Sequence, residues 1–89
     1  MLASAMEQEM RNHLCQCAEA FAAARQLELA TVGRLAAGDW RFFDRVRDDA
    51  KTFTARKYDE VIGWFSENWP SGEEWPSEVK RPETERAAS

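Results

Sequence analysis

The sequence predicts an all-α domain of four to five helices with a flexible acidic tail behind them. Three observations predict it. Apolar residues recur at spacings of three and four along most of the chain up to Trp69, which is the period of one helical face. No stretch alternates apolar and polar residues as a half-buried strand would. Beyond Pro70 the large apolar residues thin to a single Trp and a single Val among five Glu and three basic residues. Such a segment buries too little apolar surface to offset its ordering entropy.

The first helix is expected from about Met6 to Leu27. Met6, Met10, Leu14, Cys17, Phe21 and Ala24 mark one face, and the run AEAFAAARQLELA is rich in helix formers without Gly or Pro. At about 1.5 Å per residue it is roughly 30 Å long, enough for its end to project from so small a core. The next helix is expected to begin at Thr31 as N-cap and to stop at Gly38, the residue that most readily takes the left-handed conformation. Asp39 is then the expected cap of a third helix, DWRFFDRVRDDA. Phe42, Phe43 and Val46 share one arc of that helix, facing Leu35 and Ala36 of its predecessor, while Arg41, Asp44, Arg45 and Asp48 share the opposite arc. Thr54 is the expected N-cap of a fourth helix, with Tyr58, Val61, Ile62, Phe65 and Trp69 as its apolar stripe and Pro70 as its stop. The domain thus spans residues 1–70 and the acidic tail 71–89, where Trp75 is the one side chain expected to dock, on the core or on another subunit.

Composition narrows the function classes. Eighty-nine residues make one domain, and 44% hydrophobic residues with ten aromatics suffice for a small core. No apolar run approaches the roughly 20 residues of a membrane span, and the opening MLASAMEQEM turns acidic too soon for a secretory signal. Cys15 and Cys17 lie two apart, pointing to different sides of a helix, so a disulfide between them is not expected and a reducing, cytoplasmic setting is. His13 completes an H-x-C-x-C string, but structural zinc takes four ligands and no second cluster follows, so no metal is expected. No nucleophile–base pair, phosphate-binding Gly loop or carboxylate pair stands out, which argues against an enzyme and leaves no cofactor to expect.

The middle of the chain, TVGRLAAGDWRFFDRVRDDAKTFTARKYDEVIGWF, resembles the small DNA-binding regulators with a lambda-repressor-like fold. More narrowly, it looks like the short helix-turn-helix proteins of bacteria and their phages. The residues that carry the resemblance are Thr31, Leu35 and Ala36, the Gly38–Asp39 turn, Val46 ten residues after Ala36, and the Thr54-led helix with Arg56 and Lys57 in its first turn. Many members of that fold have Gly where Trp40 stands here, and Gly38 takes the turn role instead.

The resemblance implies double-stranded DNA as partner, bound by a homodimer, because twofold symmetry lets two recognition helices meet half-sites about one helical turn apart. Arg41 and Arg45 are then the expected base readers, since Arg bonds bidentately to guanine, and Asp44 accepts from cytosine or orients them. Thr31, Arg34, Lys51, Thr54, Arg56 and Lys57 are the expected phosphate contacts. The net charge of −4 conceals a segregation that suits this reading. Residues 31–57 hold seven basic and four acidic residues, a local +3, while the first 30 residues and the tail each sum to −2. The alternative is a protein–protein adaptor, antiactivator or antitoxin that keeps a helix-turn-helix-like fold. It would meet a protein partner through the long first helix or the Trp-containing tail.

Overall fold

Among the described residues the chain forms four α-helices: α1 (Ala5–Arg25), α2 (Leu29–Ala37), α3 (Phe42–Arg47) and α4 (Ala55–Asn68). The structure is a computed structural model that describes residues 5–48 and 52–82, and no strand occurs among them. The long helix α1 lies against all three others, and α2 packs in turn on α3 and α4.

Each helix end has a local cause. The first, α1, closes on Gln26, whose φ of 57° is left-handed. The Leu27 amide donates to the Ala22 carbonyl at 2.8 Å and the Gln26 amide to Ala23 at 3.4 Å, the paired bonds of a Schellman motif. Gly38 closes α2 with φ 72°, as its sequence position predicts, and its amide reaches the Arg34 carbonyl at 3.1 Å. Thr54 caps α4, its Oγ1 accepting from the Lys57 amide at 3.0 Å. The fourth helix stops at Asn68, one residue before its C-cap Trp69, which Pro70 follows.

Two starts differ from expectation. The second helix begins at Leu29 after Glu28, not at Thr31, because the Val32 amide already bonds the Glu28 carbonyl at 3.1 Å. The Glu28 side chain makes no capping bond. The third helix begins at Phe42 and has six residues. Asp39 acts one step earlier than a cap: its carboxylate accepts from the Arg41 amide at 2.9 Å and its carbonyl from the Phe42 amide at 3.0 Å. These bonds fold residues 39–41 into a turn instead of the first turn of a longer helix. The expected continuation of that helix through Asp49 and Ala50 lies outside the described residues.

The core gathers Leu14, Cys17 and Phe21 from α1, Val32 and Ala36 from α2, Phe42, Phe43 and Val46 from α3, and Val61, Ile62 and Phe65 from α4. The Phe21 ring meets Trp64 at 5.2 Å and Phe65 at 5.6 Å between centroids, the tilted arrangement aromatic quadrupoles favour. Burial of the α3 arc agrees with its sequence pattern. Leu35 does not turn inward with Ala36 but is 44% exposed, and Met6 and Ala24 also lie outside.

Residues 71–82 correct the expectation of a flexible tail. Val79 is 2% exposed and belongs to the core. Trp75 packs on Trp69 at 4.8 Å, and both indoles find acceptors, Trp75 Nε1 donating to the Val79 carbonyl at 2.7 Å and Trp69 Nε1 to Glu73 at 2.9 Å. The Arg81 guanidinium donates to the Ser66 carbonyl at 2.7 Å and lies over the Trp75 ring. Few apolar groups suffice to order the segment because the indole N–H groups bond its own backbone. The remainder of the expected tail, 83–89, lies outside the described residues.

Candidate functional site

The three expected base readers do share one surface. Arg41, Asp44 and Arg45 are exposed, and together with Trp40 and Asp48 they line a shallow depression of about 470 Å³ on α3 and the turn before it. Their electrostatics are those of a mixed patch. Arg45 forms an ion pair with Asp39, and the Arg41 guanidinium stacks 4.8 Å above the Trp40 ring. The Arg41 amide first, and the Arg45 side chain second, hold the Asp39 carboxyl below its ordinary value of 3.8. Two guanidiniums therefore share this face with the carboxylates of Asp39, Asp44 and Asp48.

The expected phosphate contacts fall in separate places. Thr31 is half-buried in the first turn of α2, and Arg34 is exposed one turn later. Thr54 and Arg56 are exposed at the start of α4. Lys57 is half-buried and already engaged: its ammonium donates to the Ala37 carbonyl at 3.0 Å, at the negative end of α2, and lies 3.7 Å from Glu60. Thr54, Lys57 and Arg45 border a second hollow of about 280 Å³ floored by Phe42, Val46 and Phe53. Lys51 lies outside the described residues. Arg47, counted in the positive centre, lies 3.5 Å from Glu19 of α1. Much of the local +3 is thus matched within the fold.

Arg11 is the residue that sequence reasoning missed. It is 3% exposed. Its Nη1 donates to the Val46 carbonyl and to the Asp48 carbonyl at 3.1 Å, its Nη2 lies 3.6 Å from Glu7, and its guanidinium covers Phe53. A buried cation thus satisfies the carbonyl end of α3, where the helix dipole favours positive charge. The signal was present in the spacing, because Arg11, Leu14, Ala18 and Phe21 follow one another at three and four residues.

The cysteines are both free, and burial pushes the Cys17 thiol up to about 12 and raises Cys15 as well. Both remain thiols at neutral pH, which is unsuited to nucleophilic chemistry. Among the described residues no helix is long and apolar enough to cross a membrane, and no group of three or more His, Cys, Asp and Glu could hold a metal ion.

The connection between α1 and α2 completes the geometry. Three residues, Gln26, Leu27 and Glu28, join a 21-residue helix to a nine-residue one. Four residues join α2 to the six-residue α3. A helix-turn-helix needs a turn of three to four residues and a second helix long enough to lie along a groove. Both turns qualify by length, but six residues make a helix of only about 9 Å. No family model matches this chain. Comparison with curated proteins and with solved structures returns no match either.

Proposed function

We propose that this protein is a sequence-specific regulator that binds double-stranded DNA as a homodimer, with α1 and α2 as its helix-turn-helix pair. The observation that carries this reading is α2. It follows a three-residue turn, buries Val32, Gly33 and Ala36 against its neighbours, and turns Ala30, Arg34 and Leu35 to solvent. Packing on α1, α3 and α4 holds it rigidly, which favours precise contact with base edges. A recognition helix meets bases with its first turns, so Thr31 and Arg34 become the reading residues on this account. Arg34 can bond guanine bidentately. Arg56 and the capped start of α4 suit phosphate contacts. Arg41, Asp44 and Arg45 leave the base-reading set, because the carboxylates that accompany them repel phosphate.

Fluorescence anisotropy with labelled duplexes from the upstream region of its own gene tests the reading. Affinity is expected to fall steeply as salt rises. Arg34→Ala is expected to lose about 1 to 3 kcal/mol at one base position, whereas Arg41→Ala leaves the sequence preference unchanged. Absence of binding at low salt would remove the DNA reading and promote the adaptor, which the exposed Trp40 and the acidic termini favour.

A further inference from the structure

We propose that the surface around Trp40 is the interface between two copies of this chain. The inference stands apart from DNA binding, since it requires only that the protein self-associate. Trp40 is 54% exposed. The other three Trp residues are half-buried, Trp64, Trp69 and Trp75 packing on Phe21, on Phe65 or on one another, so they offer little to a partner.

Trp40 is exposed on a backbone with little freedom. Gly38 and the two Asp39 hydrogen bonds fix the turn on either side of it, and the turn presses its carbonyls against Gly33 of α2. A large aromatic presented on a fixed backbone loses little entropy on binding, which suits Trp to anchor a protein interface.

The charges beside it identify the occupant. Arg45 is matched by Asp39 within the protomer. Arg41 and Asp44 face the same depression with opposite signs, with Asp48 also in its lining, and neither Arg41 nor Asp44 forms an ion pair among the described residues. A partner of one sign, nucleic acid included, would be attracted by part of this set and repelled by the rest. A second copy is complementary to both: across a twofold axis, Arg41 of each protomer meets Asp44 of the other. Each Trp40, which lines its own depression, packs against the depression of its partner. The arrangement is isologous and closes at two subunits, so it does not propagate into fibres.

Sedimentation velocity on the full 89-residue chain decides the matter, with circular dichroism confirming that each variant is folded. The wild type is expected to sediment as a dimer in the micromolar range, and Trp40→Ala as a monomer. Arg41→Glu and Asp44→Arg are each expected to weaken association by about tenfold or more. Mixing these two variants is expected to restore a dimer, because the heterodimer regains both complementary pairs. A wild type that stays monomeric up to near-millimolar concentration overturns the proposal. So does a dimer indifferent to all three substitutions, which would belong to another face. Failure of the mixture to reassociate overturns the pairing of Arg41 with Asp44. Loss of DNA binding in Arg41→Glu with an unchanged dimer mass overturns it too and returns the patch to nucleic acid.

Discussion

Gly33 shows how much of the local geometry rests on one missing methyl. A Cβ at this position would lie 2.7 Å from the Asp39 carbonyl oxygen and 3.4 Å from that of Trp40, both backbone atoms that cannot rotate away. The close approach of α2 to the following turn therefore requires glycine in the middle of a helix, where it otherwise costs about 1 kcal/mol relative to alanine. Gly33→Ala is expected to destabilise the domain by about 1 to 3 kcal/mol, against the usual gain from helix propensity, as measured by urea unfolding. A neutral or stabilising result would mean that the turn shifts freely. Gln26 is the complementary case, a residue with a side chain held at left-handed φ because two backbone bonds fix the end of α1.

At the scale of the element, α3 is the helix that depends most on its surroundings. Six residues are too few for an isolated helix in water, where roughly 12 to 15 are needed for marginal stability. Its apolar face supplies one support, through Phe42, Phe43 and Val46, and Arg11 supplies the other by occupying its carbonyl end. Arg11→Ala would leave buried carbonyls short of their donor, and hydrogen bonds to charged groups contribute about 1.5 to 3 kcal/mol each. A loss of about 2 to 4 kcal/mol is expected, with faster amide exchange concentrated in α3 if the clamp is local. Uniform exchange across all helices would show that Arg11 supports the core as a whole instead. The same dependence explains why the charge segregation read along the sequence is weaker in space. Folding brings Glu19 to Arg47 and Glu60 to Lys57, so the +3 of residues 31–57 is partly matched by acidic residues counted elsewhere.

For the molecule as a whole, the segment 70–82 closes the core. It returns along α4 and reaches α1, where Gln16 donates to Glu78 at 3.0 Å, and it seals the aromatic cluster with Trp75 and Val79. A domain this small has little surplus stability, so one buried side chain from a coil segment counts. Val79→Ala removes two methyl groups from a fully covered site and is expected to cost about 2 kcal/mol in urea unfolding, with Trp fluorescence reporting release of the segment. An unchanged midpoint would make the segment a passive cover. Trp75 and Val79 are thus engaged with the core, while Met6 stays exposed at the start of α1.

What the sequence determined by itself was local: an all-α chain of four to five helices, the stops at Gly38 and before Pro70, the Thr54 cap, and the buried arcs of α3 and α4. Each follows from interactions within four or five residues, where periodicity and capping chemistry act. The same reasoning misplaced the start of α2 and turned Leu35 inward, since a helix boundary is set by competing local bonds that differ little in energy. Only the tertiary structure decided that Arg11 clamps α3 from 35 residues away, that Val79 enters the core, and that the carboxylate of Asp39 engages Arg45. Long-range pairings leave no period in the chain. They arise when packing of the helices removes water from particular side chains and leaves each polar group to find the partner nearest to it.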